Sequence, residues 1–358
     1  MTDLRASIPS ASDDALMVGV LRIVALISSA GRDSHTGAYV WGEGTYPTHT
    51  LPLRLWKFPE GVVVVDALAP YASLIGRTIA TIDGRPIDDD IATLEPLMPR
   101  DNDQTLTLLL PRFLLTTEIL HGAGLIADPT TVTLGFAGSR DAAEAVQAIP
   151  TSAYNDWATP YGLHLPIRPG VAYLERSTEP LWFEATGDVL RIQYNRVTKL
   201  SGGQLDVLRA ALARPEVRRV IVDVRHNYGG ETFGYPPVAE AIADAAAGGR
   251  WSGGLFLITG RNTYSAASLF TADLTALTTV TVVGETMGGS PALFGNARSF
   301  TLGYSGIGIA VATEFFEAVP GDPRIEINPD LQIDLTAADF FAGKDPASMA
   351  IDAIAGLP

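Results

Sequence analysis

Ser265 is the first residue whose place in the chain suggests chemistry. It follows an apolar run, Leu255 to Ile258, that reads as a buried strand, and a Gly260-Arg261-Asn262 turn. Small and apolar residues suited to a helix come after it. A hydroxyl at such a junction lies where unpaired N–H groups and the positive dipole end of a helix gather. That placement lets a serine attack a carbonyl with backbone donors ready for the resulting oxyanion. A helix N-cap asks for the same residue at the same place, so the junction alone decides nothing. The second stretch is DVRHNYGG, residues 223 to 230. Asp223 and Arg225 stand near the end of a buried strand, where an acid and an arginine need each other or another buried partner. Gly229 and Gly230 let the backbone approach a ligand closely and can aim N–H groups at an anion. A serine nucleophile also needs a base with a pKa near neutral, and imidazole supplies one. The chain offers His35, His49, His121, His164 and His226.

These residues need a scaffold to bring them together, and the pattern from residue 181 onward describes one. LWFEATGDVLRIQYNRV reads as a hairpin, QLDVLRAALAR as a helix, VRRVIVDV as a buried strand and PPVAEAIADAAAG as a helix. GLFLITG is a strand, SAASLFTADLTAL a helix and TTVTVVG a strand. This alternation predicts βαβ units and a mainly parallel sheet. Sites in such sheets form beyond the carboxyl ends of the strands. Three glycine-bearing loops fall there: Asn227 to Gly230, Gly260 to Ser265, and Gly284 to Ser290.

Upstream, residues 14 to 31 read as a helix capped by Asp13 or Asp14 and stopped at Gly31, followed by a turn with Ser34 and His35. AYVW, LPLRLWKF and GVVVVDA are strand-like, and the Asp83-Gly84 pair between apolar runs predicts a hairpin. TTEILHGAGL reads as a short helix, TVTLGFA as a strand and DAAEAVQAI as a second helix. The segment SLIGRTIATIDGRPIDD resembles the carboxylate-binding edge of a PDZ domain over residues 52 to about 115. That resemblance implies capture of an extended peptide end by strand addition. The expected organisation is a helical part at 1–50, a PDZ-like unit with an extension at 51–150, a linker or lid at 151–180, and an α/β core at 181–358.

Composition removes several function classes. The 358 residues are 47% hydrophobic and 18% charged, as expected of a globular protein. A formal net charge of -15 argues against nucleic acid and anionic membrane as partners. The lack of cysteine excludes disulfides, zinc-thiolate sites and a cysteine nucleophile. The acidic start carries no secretory pattern and residues 15 to 31 are too short and interrupted for a membrane span, so a cytoplasmic location is expected. No nucleotide-binding glycine motif and no metal-ligand spacing is present, so neither a cofactor nor a metal is expected.

Read together, DVRHNYGG, NTYSAAS, VVGETMGG and RIEINPDLQID resemble the tail-specific, carboxyl-terminal-processing serine peptidases. Relatives of these include the tricorn core protease and the interphotoreceptor retinoid-binding repeats. The family motif D-x-R-x-N-x-G-G matches Asp223, Arg225, Asn227, Gly229 and Gly230 in full. The resemblance implies a core related to the crotonase and caseinolytic-protease (ClpP) folds, with a helical start and an inserted PDZ-like unit. It makes Ser265 the nucleophile, with an oxyanion hole near Gly229 or Gly230 and the Ala266 N–H. The chain departs from the commonest branch, whose lysine lies in a "G-E-x-T-x-G-K" loop. Here the loop is GETMGGS, Ser290 stands at the lysine position, and the only lysines are Lys57, Lys199 and Lys344. Ser268 replaces the acid often found three places after the nucleophile. The tricorn-like branch uses a Ser-His pair before the PDZ-like unit and a later glutamate. Ser34-His35 and Glu326 occupy those places in chain order. His226, inside the glycine motif, is the rival base, and Glu285 and Glu317 compete with Glu326.

Three functions follow. The first is a serine hydrolase, expected to be a peptidase acting near peptide C-termini on a peptide or other acyl substrate. The second is a ligand-binding protein on the same fold, and the third an acyl-transfer or cyclising enzyme reusing the oxyanion hole. Retention of a serine at 265 with His35 available favours the first.

Overall fold

A computed structural model describes residues 5, 8–42, 46–138, 143–158 and 164–355. The chain is mixed α/β and divides into two compact units: residues 1–166 with 294–314, and residues 167–293 with 315–358.

The first unit opens with helix α1 (Asp13–Ala25). Met17, Val18, Leu21 and Ala25 line its buried face at helical spacing. The expected cap is corrected by one or two residues: the Ser12 side chain accepts from the Ala15 N–H, and Asp13 and Asp14 form the first turn, where acids suit the dipole. The helix also ends sooner than expected. A short 3-10 turn, Leu26–Ser28, follows it, and Leu26 and Ile27 are exposed. Next come strand β1 (Gly37–Tyr39) and the hairpin β2 (Leu53–Phe58) with β3 (Gly61–Ala67). Strands β4 (Ile79–Ile82) and β5 (Arg85–Pro86) pair across the Asp83-Gly84 turn, where both residues take positive φ (46° and 78°). This is the geometry that made the pair a turn signal.

Two helices there had no forecast, α2 (Ile87–Leu94) and α3 (Asp103–Leu115). Asn102 caps α3 in a reciprocal capping box with Thr105. Then come α4 (Thr117–Gly122), strand β6 (Thr131–Phe136), strand β7 (Glu144–Gln147) and helix α5 (Thr151–Ala158). The expected second helix, DAAEAVQAI, is corrected to strand over its described part, while Asp141 and Ala142 lie outside the described residues. β7 pairs antiparallel with β6, Val146 opposite Val132, and both valines are fully buried. The flanking Ala145 and Gln147 are exposed, so the register rests on a period of two. The sheet order is β5-β4-β6-β7. A hairpin of Arg298–Thr301 and Gly308–Val311 adds to β1.

The second unit is built on a six-stranded sheet. Its strands are β8 (Leu181–Thr186), β9 (Val189–Tyr194), β10 (Arg219–Asp223), β11 (Leu255–Thr259), β12 (Thr281–Gly284) and β13 (Leu331–Gln332), in that spatial order. β8 and β9 are antiparallel and every later pair is parallel. Both faces are covered, which is why the inner strands read as unbroken apolar runs. Val220, Val222, Leu255 and Leu257 pack with helices α6 (Gly202–Leu212), α7 (Pro236–Ala247) and α8 (Ala266–Leu277). The alternate residues Ile221, Phe256 and Ile258 pack with Ala347 and Ile351 of α9 (Pro346–Ala355). Among the described residues, no helix is long and apolar enough to cross a membrane.

Candidate active site

The loops after β10, β11 and β12 interlock, and Thr263 is their hub. It is fully buried, and its carbonyl accepts from the Gly288 and Gly289 N–H groups at 3.1 Å and from Ser268 Oγ at 3.2 Å. Its own hydroxyl donates to the Val224 carbonyl at 2.9 Å. The Tyr264 N–H donates to the Asn227 carbonyl at 3.0 Å. Arg261 forms a two-pronged pair with Glu285 at 2.9 Å on each side. Burial alone would raise the Glu285 pKa, but the adjoining Arg261 guanidinium more than offsets it and holds the group below its ordinary value. Glu285 is thereby committed to the loop framework, and Glu317 is exposed on its strand.

This framework holds Ser265 in an uncommon backbone state, φ 56° and ψ −128°. Non-glycine residues avoid that region, and holding one there costs roughly 1–3 kcal/mol. The residue is half-buried, and its side chain makes no capping bond to α8. An ordinary N-cap has extended backbone and a side chain turned back onto the helix. Ser265 has neither feature.

Gly229 lies directly against this turn. A Cβ placed on it would stand 2.7 Å from both the Ser265 Cβ and the Ala266 N, and its φ is +90°. Only glycine permits that approach. The Gly229 N–H donates to Asn227 Oδ1 at 2.8 Å, while Asn227 Nδ2 donates to the Tyr194 carbonyl at 2.8 Å. Asn227 therefore shapes the loop and consumes the Gly229 donor. Among the described residues, neither the Gly230 N–H nor the Ala266 N–H has an acceptor. Ala266 directly follows Ser265, and Gly230 directly follows Gly229, which lies against the Ser265 turn.

Arg225 fixes the base of the same loop. Its Nε donates to Asp223 at 3.0 Å, and its terminal nitrogens donate to Asp345 at 2.8 and 3.0 Å. The guanidinium also lies 4.0 Å from the centre of the Tyr173 ring. Asp345, 120 residues from Arg225 in sequence, carried no signal that could have identified it. His226 is buried with its ring edge-on to Tyr173, 5.4 Å between centroids. Ser290 is fully buried and donates to the Ile325 carbonyl at 2.5 Å. Glu326 follows on that segment, accepting from Asn328 Nδ2 at 3.2 Å; Asn328 in turn accepts from Thr286 Oγ1 at 2.7 Å. Ser290→Ala should cost about 1 kcal/mol in denaturant unfolding, the usual net worth of the hydrogen bond to the Ile325 carbonyl that it removes, and should leave chemistry at Ser265 unchanged.

The remaining predicted residues, Ser34 and His35, belong to the first unit, on the turn before β1. Both the N–H and the hydroxyl of Ser34 donate to Asp101 Oδ1 at 2.7 Å. Burial lowers the His35 pKa below its ordinary value, while the negative charges of Asp101 and Asp33 and a hydrogen bond to the Phe294 main chain act against it. Of the other imidazoles, His49 and His121 each stand 2.6 Å from a carboxylate, Glu118 and Asp14. Burial and the nearby charge of Arg54 push His164 down to about 4. The second unit thus gathers Ser265, Ala266, Gly229 and Gly230, with Glu326 on a segment bonded to the same loops. The first unit gathers Ser34, His35 and Asp101. Asp101 was missed; its only trace in the sequence is that it precedes a capping asparagine.

No family model matches this sequence, and no curated protein matches it. Solved structures do. The chain is similar to mature CPAF complexed with lactacystin, at 12% identity and a TM-score of 0.64, over 99% of this chain and 91% of that one. A serine-to-alanine mutant of CPAF gives 12% identity and 0.61, over 97% and 88%. The photosystem II D1 C-terminal processing protease, at 14% identity over 88% and 76%, scores 0.35 and adds nothing to the comparison. At these identities the likeness concerns architecture alone: this chain has the CPAF fold.

Proposed function

We propose that the protein is a serine hydrolase acting on peptides, with Ser265 as nucleophile. The observation that carries this reading is the left-handed Ser265 backbone packed against Gly229, with the N–H groups of the next residues along, Ala266 and Gly230, lacking an acceptor among the described residues. In the reaction, Ser265 Oγ bonds to the substrate carbonyl carbon while its proton passes to the base. The carbonyl electrons move to oxygen, where the Gly230 and Ala266 N–H groups receive them. Collapse breaks the C–N bond, the leaving amine takes the proton back, and water repeats the sequence on the acyl-enzyme. His35 is the base, with Ser34 beside it and Glu326 as the supporting acid. His226, packed against Tyr173, is the less suitable imidazole. The core is of the crotonase/ClpP kind that the motif resemblance implies. The antiparallel sheet β5-β4-β6-β7 is the PDZ-like element, which would take an extended peptide end by strand addition and direct action toward C-termini.

A fluorophosphonate probe tests this directly. Wild-type protein should become labelled on the peptide containing Ser265, and Ser290→Ala should be labelled as fast. His35→Ala should slow labelling roughly 10²–10⁴-fold, the usual contribution of a positioned base. Full labelling in that variant would transfer the role to His226. Lactacystin, with which mature CPAF was crystallised, is a second probe for the same serine. No labelling by either, together with tight binding of apolar ligands, would replace the hydrolase by a binding protein.

A further inference from the structure

We propose that Asp101 is a positioning residue for this reaction: buried ahead of α3, it clamps the Ser34–His35 turn and its carboxylate supports the positive charge that His35 acquires. The inference rests on His35 being the base.

Asp101 is fully buried. Its main chain is fixed on both sides, its N–H donating to Thr105 Oγ1 at 3.1 Å and its carbonyl accepting from the Arg32 N–H at 2.9 Å. Gly31, at φ +84°, passes so close that a Cβ there would meet the Asp101 carbonyl oxygen at 2.8 Å. Oδ1 then takes both Ser34 donors. A second carboxylate closes the far side of the turn, Asp33 Oδ1 accepting from the Thr36 N–H at 2.9 Å. His35 is therefore carried on a turn whose backbone is tied at Arg32, Ser34 and Thr36. Asp101 stands just before the Asn102 cap of the 13-residue helix α3, where the dipole favours a negative charge.

The groups acting on the imidazole are Asp101, Asp33 and the Phe294 main chain. When His35 takes the Ser265 proton, the two carboxylates favour the charged form against the burial that opposes it. Asp101 is the buried one of the two and the one bonded to the adjoining residue. A base displaced by about 1 Å loses on the order of 10²-fold in rate, so the clamp matters for geometry as well as charge.

The test is Asp101→Asn in the full chain, with two readouts. Proton NMR follows the titration of His35, resolved among five histidines and assigned with His35→Ala. The fluorophosphonate labelling rate is followed against pH. The expected result is a His35 midpoint moved to lower pH and labelling slowed on the order of 10²-fold, with Asp33→Asn moving the midpoint less. An unmoved midpoint in folded Asp101→Asn overturns the proposal. If that variant does not fold, Ser34→Ala decides: labelling slowed severalfold with the midpoint held supports the clamp, and unchanged labelling overturns it. The titration needs no turnover, so it separates the two claims. A shifted midpoint with unchanged labelling retains the clamp and removes His35 as base.

Discussion

Ser265→Ala is expected to abolish fluorophosphonate labelling, since no oxygen remains to take the phosphonyl group, and to cut peptide turnover on the order of 10⁶-fold, as removal of a serine-protease nucleophile does, without the stability loss of a missing helix cap. The two halves of that expectation separate the catalytic role from the structural one. A serine that capped α8 would cost about 1 kcal/mol on truncation to alanine. Ser265 makes no capping bond and its φ is 56°, so alanine inherits the backbone strain and gives up no cap. Ser265→Gly should be stabler than wild type by about 1 kcal/mol, since glycine takes this backbone state without penalty. Urea unfolding of the three proteins measures the difference. A destabilised Ser265→Ala, or a Ser265→Gly no stabler than wild type, would mean that the residue serves the fold.

The second large effect concerns Arg225. Arg225→Leu leaves Asp223, fully buried, and Asp345, largely buried, without their shared cation. Removing one member of a buried ion network typically costs about 3–5 kcal/mol, which lowers a melting temperature by on the order of 10 °C. The loop bearing Asn227 and Gly229 starts two residues on, so labelling of Ser265 should fall as well. The network also sets an acid limit. Burial opposes ionisation of Asp345, but Arg225 and the Ser348 hydroxyl hold its pKa down at about 2, against 3.8 ordinarily. A carboxyl with a depressed folded-state pKa contributes stability that is complete above its unfolded value and is lost as pH falls through the folded one. Wild-type stability should therefore decline between pH 4 and pH 2 through this group, and Arg225→Leu should lose that part of the acid dependence. Denaturant unfolding at pH 2, 4 and 7 checks both statements. Equal losses at pH 4 and pH 2 in the two proteins would show that Asp345 does not draw on Arg225.

Much of the second unit was legible because parallel strands are buried on both faces. Leu255 to Ile258 and Val220 to Val222 had to be apolar without interruption, and the helices between them had to carry one apolar stripe. The Asp83-Gly84 turn was legible because few residues accept positive φ at consecutive positions. Such features follow from what each residue does to its near neighbours, and the sequence by itself determines them. The Glu144–Gln147 segment shows where that stops: its alanine-rich surroundings favour helix, yet Val146 buried opposite Val132 makes it strand.

The candidate site lies further beyond that limit. The motif named Gly229 and Gly230 together, but only the fold shows that Asn227 takes the first N–H, leaving the second without an acceptor among the described residues. Ser265 was placed at a strand–helix junction, while its left-handed backbone depends on loops from three strands meeting at Thr263. Asp345 joins Arg225 across 120 residues and Asp101 joins Ser34 across 67. Contacts of that span are made when the chain closes on itself, and no local preference in φ, ψ or hydropathy encodes which acid will arrive.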